Sequence, residues 1–209
     1  MGSGVVGSYA DQQESLESLI KGEVLRMYEE VAAHPEQEFH FYHGRQAAEM
    51  FGYQVAWLDG VPAGAVASFA GVGNPHLRSQ LQPGETVLDV GSGAGLDSMI
   101  AAGQVGPTGR VVGVDLNPEM AARARGYAAE LGLVNVEFRE GRMEQLPVDD
   151  QSADVIISNG VINLSFRKRR VFQELHRVLK PGGRISLTDI VSAKQLSQSV
   201  VNDPKLWAS

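Results

Sequence analysis

The sequence predicts an α/β fold: a mostly parallel sheet, with N-terminal helices before it. Three observations carry that prediction. Val87-Leu88-Asp89-Val90 is an apolar strand that runs into glycines at 91, 93 and 95, after which Leu96 to Ala102 opens a helix. A second strand, Arg110 to Asp115, follows at the distance a strand-helix-strand unit requires. Further strand patterns at Asn135 to Arg139, Ala153 to Asn159 and Arg184 to Val191 are separated by helical ones.

A chain of 209 residues is long enough for one sizeable domain that buries roughly 70% of its unfolded surface. The formal charge of −7, with no basic half, disfavours nucleic acid or an anionic membrane as partner and suits a neutral or cationic small molecule. Without cysteine there is neither a disulfide framework nor a cysteine zinc site. No apolar run approaches the ~18 residues of a membrane span, and the N-terminus lacks a signal pattern. The chain reads as cytoplasmic.

Met1 to Ala10, with three glycines and two serines, is expected to be a disordered leader. From Asp11, Leu16, Leu19, Ile20, Val24, Met27, Tyr28 and Val31 recur at helical spacing and predict an amphipathic helix of about six turns. Phe39 to Arg45 is polar and aromatic and leads into a helical stretch, Gln46 to Phe51. His40 and His43, three apart, can share a helix face, but no cysteine or carboxylate at matching spacing accompanies them. They are read as pocket or surface histidines, and no metal is assigned. Val61 to Pro75 is dense in glycine and small residues and reads as a loop that something approaches closely, before a helix His76 to Gln82. Residues 11–82 thus form a helical and glycine-rich cap segment, and 83–209 the core.

The glycine loop is the chemical centre. Residues without Cβ let the backbone turn sharply and meet a ligand closely, and the helix start offers free N–H groups. A glycine turn alone needs no ligand, but Asp115 at the end of the next strand can hold a ribose diol, and the two together favour a nucleotide. The dinucleotide fingerprint wants a small residue where Leu96 stands, which disfavours a nicotinamide or flavin cofactor.

Asp89 to Gly95 has the form Asp-x-Gly-x-Gly-x-Gly and resembles the loop of class I S-adenosylmethionine-dependent methyltransferases. Ile156 to Leu164 and Arg177 to Arg184 narrow the likeness to the arsenite methyltransferase group and its quinone-methylating relatives, from about residue 40 onward. The resemblance implies a Rossmann-like sheet and S-adenosylmethionine as cofactor. It puts Asp89, Gly91, Ser92, Gly93 and Gly95 on the methionine and ribose part, Asp115 with Leu116 on the ribose, and the loop 141–144 on the adenine. Arg142 stands where the family carries an acid, leaving the Met143 backbone as the adenine contact and Glu144 as a substitute acceptor. Met120 either packs beside the adenine or is plain core. Asn159, at the carboxyl end of its strand, lies near the methyl donor or ties loops together. Tyr42, His43, Val72, Gly160 and Asn163 form the substrate-pocket set, to which Arg45 is added. Family cysteines are replaced by Val72, in Gly71-Val72-Gly73-Asn74-Pro75, and by Gly160.

The resembled fold has seven strands, and five are visible. The last two are expected to be missing, leaving the fifth strand as an open edge for a partner or a C-terminal segment to cover. The hypothesis that follows is an early stop at a selenocysteine codon; a downstream frame without hairpin-forming strands would sink it. The basic run Arg167 to Arg170 reads as a solvated helix start, for a helix that stops at Lys180-Pro181-Gly182-Gly183. Function reads as methyl transfer to a small-molecule acceptor with no obligatory general base, so no catalytic residue is assigned. The alternative is a catalytically silent cofactor-binding module, or a fragment that needs a partner or a C-terminal extension.

Overall fold

Strands covered on both faces become continuous apolar runs, and the central strands here behave that way. The computed structural model describes residues 42–194, together with 18–20, 22, 23, 26, 27 and 203. Its sheet consists of Thr86–Val90 (β1), Arg110–Asp115 (β2), Val136–Glu140 (β3), Ala153–Asn159 (β4) and Leu179–Thr188 (β5), in the order β3-β2-β1-β4-β5, every neighbouring pair parallel. Successive side chains point to opposite faces. Val87, Val111, Val155 and Ile157 therefore pack with Ala101, Ala102 and Val105 of helix Leu96–Val105 (α5). Leu88, Val90, Val112, Val114 and Ile156 pack with Val171, Leu175 and Val178 of helix Lys168–Val178 (α7). Helix Pro118–Glu130 (α6) joins β2 to β3, capped by the Asn117 side chain, which accepts from Glu119 N at 2.8 Å.

Before β1 lie four short helices, Gly44–Met50 (α1), Val55–Asp59 (α2), Ala63–Ala67 (α3) and His76–Ser79 (α4). Ala47, Ala48, Leu58, Val66 and Phe69 share one core with Leu96, Met99 and Ile100, so this segment is built onto the outer side of α5. Residues 18–20, 22, 23, 26 and 27 are helical, on the stretch where the first helix is expected. The leader, the rest of that helix and Phe39 to Phe41 lie outside the described residues, so the metal question at His40 is not posed by the structure. Among the described residues, no helix is long and apolar enough to cross a membrane.

Three expectations are corrected. The stretch 61–75 is not loop throughout, since Ala63–Ala67 is helical. Its small residues serve close helix packing, because a Cβ on Gly64 would lie 2.2 Å from the Tyr127 hydroxyl. Helix α4 ends at Ser79, not Gln82, as Gln80 turns into the left-handed region at φ 48°. Strand β5 begins at Leu179 rather than Arg184 and ends at Thr188 rather than Val191. Leu179 pairs with Ala153 and Arg184 with Val155, and the turn at Pro181 and Gly182 is carried as an irregularity inside the strand.

The loop between β3 and β4 is anchored by an ion pair whose carboxylate is buried. Glu174, 3% exposed, accepts from Leu146 N at 2.9 Å and from Arg177 Nη2 at 2.7 Å. Arg177 also reaches Leu146 O, Val148 O and Asp150. Donation from Arg177, followed by that of Leu146 N–H, holds the Glu174 carboxyl below the usual range against the opposing effect of burial. A depressed folded value contributes stability that is complete above the unfolded value of about 4.3 and is lost as pH falls through the folded one. Glu174→Gln is expected to cost about 2 kcal/mol near neutral pH and to flatten the fall in stability below about pH 4.3, read from urea denaturation across the acid range.

Candidate functional site

At the end of β1 the chain turns back over β2: Gly91 N and Ser92 N both donate to Val114 O, at 2.8 and 3.1 Å. Two positions show why the loop needs glycine. Gly95 has φ +88°, and a Cβ there would meet the Phe138 ring at 2.7 Å. Gly93 has φ +51°, yet a Cβ on it would meet nothing within 4 Å, so space beside the loop is open. Asp115 closes the other side. Its Oδ2 accepts from Gly93 N and its Oδ1 from Asn117 N, both at 2.8 Å. With the Leu116 N–H as a third donor, about one of the carboxylate's roughly four acceptor positions is left. Burial pushes this carboxyl up, and the N–H groups of Asn117, Gly93 and Leu116 oppose that. The Ser92 hydroxyl is buried without a partner.

Behind the loop lies a polar knot. Asp89 accepts from Ser98 Oγ at 2.6 Å, and burial first, then the charge of Asp97, pushes its carboxyl well above the usual range. Asp97 Oδ1 is met by Tyr53 OH at 2.6 Å and His76 Nε2 at 3.0 Å. Asn159 Nδ2 lies 3.3 Å from Asp97 Oδ2, 3.1 Å from Tyr53 OH and 2.9 Å from Gly73 O. Its Oδ1 accepts from Val72 N at 2.9 Å and Thr188 Oγ1 at 2.7 Å. Of the two roles open to Asn159, its side chain performs loop tying. Close approach around it is extreme, since a Cβ on Gly71 would fall 2.3 Å from Asn159 Nδ2.

Tyr53, His76, Asp97 and Thr188 escaped the sequence reading. Asp97 alone left a signal, a carboxylate in a helix start otherwise apolar at Leu96, Met99 and Ile100. The other three become legible only through partners distant in sequence.

The remaining predicted residues fall as follows. Val72 and Gly160 face each other, a Cβ on Gly160 lying 3.4 Å from Val72 Cγ1. Asn163 donates its N–H to Asp189 Oδ2 at 3.1 Å, and its side-chain oxygen is buried without a partner. Leu116 contributes its backbone N–H to Asp115. Met120 is buried on α6. Arg142 forms an isolated bridge with Gln145 and lies 3.6 Å from Glu144. Glu144 is also taken by Ser165 Oγ at 2.6 Å, and Met143 packs against the α7-side core. Tyr42 is exposed and His43 precedes α1. Arg45 pairs with Glu49 and Asp59.

A parallel sheet whose central strand ends in a glycine loop, with the carboxylate of the next strand bonded to that loop, defines an α/β domain of the nucleotide-cofactor type. The chain belongs to the methyltransferase-domain family, which matches residues 81–209. It is 46% identical over 157 residues to an arsenite methyltransferase of Halobacterium salinarum, covering 75% of this chain and 40% of the relative. A ubiquinone/menaquinone biosynthesis C-methyltransferase of an Enterobacter species is 39% identical over 109 residues, 51% of this chain and 43% of its own. Among solved structures, an arsenic(III) S-adenosylmethionine methyltransferase from Chlamydomonas reinhardtii superposes with a TM-score of 0.66 at 39% identity, over 72% of this chain and 53% of that one. The chain therefore spans about half or less of the length of these relatives.

Asn159→Ala strips partners from Val72 N, Gly73 O and Thr188 Oγ1 at once. The expected loss is about 2–4 kcal/mol of unfolding free energy in urea; a loss within about 0.5 kcal/mol would show that these groups find water or other partners.

Proposed function

We propose that this chain is an S-adenosylmethionine-dependent methyltransferase acting on a small-molecule acceptor. The observation that carries the reading is the bond from Gly93 N to Asp115 Oδ2, which joins the glycine loop to the ribose-binding acid. The residues present fit such a cofactor: open space beside Gly93, an unpartnered buried hydroxyl at Ser92, and an unused acceptor position on Asp115. In this reading Gly91 to Gly95 hold the methionine end, with Asp89 behind them. Asp115 and Leu116 hold the ribose, while the Met143 backbone, Arg142 and Met120 are assigned to the base. When bound, S-adenosylmethionine supplies a methyl group activated by an adjacent sulfonium. The chain's own contribution is to orient the acceptor in line and to exclude water, which is enough for much of the rate.

The acceptor side is formed by Val72, Gly160 and Asn163, with Tyr42 and His43 on the segment before α1. Trivalent arsenic prefers soft thiolate ligands, and a chain without cysteine offers none. The acceptor that fits is an uncharged or cationic organic molecule with an oxygen, nitrogen or carbon nucleophile, in keeping with the acidic overall charge. Nucleic acid does not suit it.

Calorimetry with S-adenosylhomocysteine tests the cofactor assignment. Binding is expected, and Asp115→Ala is expected to weaken it at least about tenfold, or ~1.4 kcal/mol; a folded chain that does not bind overturns the reading. Methyl transfer from S-adenosylmethionine to a panel of phenols, amines and quinols, run beside arsenite, tests the acceptor. Turnover of arsenite at a rate comparable to an organic acceptor would refute that assignment.

A further inference from the structure

Buried polar atoms in a folded protein are almost always bonded. Among the described residues three buried side-chain atoms are not: Ser92 Oγ, Asn74 Nδ2 and Asn163 Oδ1. Their places in the fold are related. Ser92 follows β1 and Asn163 follows β4, two parallel neighbours, so both stand beyond the carboxyl ends of the central strands, where open α/β sheets bind ligands. The two loops touch, since a Cβ on Gly91 would lie 2.5 Å from Val161 Cγ2. Asn74 is on the segment of Val72 and Gly73, and the loop after β4 meets that segment too, with a Cβ on Gly160 lying 3.4 Å from Val72 Cγ1. Residues 160–163 therefore join the glycine loop to Val72, and Asn163 carries the unpartnered oxygen of that bridge.

The backbone of Asn163 is fixed on both sides. Its N–H donates to Asp189 Oδ2 at 3.1 Å, and its carbonyl accepts from Lys168 Nζ at 2.8 Å. Ile162 before it is buried in the α7-side core, and Ser165 N closes the short 3-10 turn on Ile162 O at 3.1 Å. An amide oxygen on a turn held in this way is preorganised and loses little freedom when a donor arrives. Such an oxygen only accepts. Val72 and Gly160, the other two residues of this wall, have no polar side-chain atom, so among its side chains Asn163 supplies the polar contact.

We propose that Asn163 selects the methyl acceptor: its side-chain oxygen takes a hydrogen bond from an O–H or N–H of that molecule, while Val72 and Gly160 pack on an apolar part of it. The acceptor is then a neutral hydroxyl or N–H compound with an apolar body, of the quinol, arylamine or indole kind, and not an ether, a tertiary amine or a pyridine-type base. Asn163 binds and orients; it takes no proton, and no bond of the acceptor is made or broken through it. This rests on reading the loop at Gly91 to Gly95 as the methyl-donor site.

The test is binding to the full chain loaded with S-adenosylhomocysteine, using hydroquinone, aniline and indole, each beside the counterpart in which methyl groups replace its O–H or N–H hydrogens. At least one donor-bearing probe is expected to bind about fivefold or more tighter than its counterpart. Asn163→Leu, close in shape but without the oxygen, is expected to bring that ratio below about twofold while leaving S-adenosylhomocysteine affinity within about threefold. Asn163→Asp, which keeps an oxygen acceptor, is expected to retain the preference; this variant and the unsubstituted chain decide the matter if Asn163→Leu does not fold. No preference in the unsubstituted chain, no binding by any of the probes, a preference that survives Asn163→Leu, or its loss in Asn163→Asp overturns the role of Asn163 and leaves the donor site standing. A folded chain that does not bind S-adenosylhomocysteine overturns both.

Discussion

A carboxylate can be buried at the head of α5 only if donors are brought to it, and much of the described structure is arranged by that requirement. An unpaired charge in a protein interior costs several kcal/mol. Asp97 escapes that cost because Tyr53, His76 and Asn159 converge on it from segments far apart in sequence. Satisfying one carboxylate thus pins the chain after α1, the start of α4 and the end of β4 to the helix that begins at the glycine loop.

Asn159 extends that constraint to Val72, Gly73 and Thr188. The same amide that meets Asp97 also holds Val72 N, Gly73 O and Thr188 Oγ1. The glycines around it are a consequence, since backbone can approach a bonded side chain this closely only where no Cβ intervenes. The residues proposed for the donor and acceptor sides are thereby built onto one hydrogen-bonded frame, which suits a reaction that depends on alignment more than on acid or base chemistry.

Legibility of the fold followed the strength of the local pattern. β2 and β4 are found where the apolar runs place them, because a strand buried on both faces leaves little freedom in composition. β5 was misjudged because Lys180-Pro181-Gly182-Gly183 is turn chemistry, and only pairing with β4 carries the strand label back to Leu179. The helix at Ala63–Ala67 was hidden by its small residues, whose purpose is contact with Tyr127 and not loop formation. At the site, the loop glycines and Asp115 were legible as a motif. Tyr53, His76 and Thr188 were not, being ordinary residues until a partner is known.

The sequence by itself determined the strand-loop-helix unit, the acid behind it and the absence of any thiol, because each of these is written in neighbouring residues or in composition. Only the tertiary structure decided that Asn159 is a tie, that Val72 and Gly160 meet, and that Asp89 and Asp97 share one buried environment. Those facts are contacts between residues as much as 106 positions apart. Burial and hydrogen bonding at such separations are properties of the folded arrangement, and no local pattern in the chain encodes them.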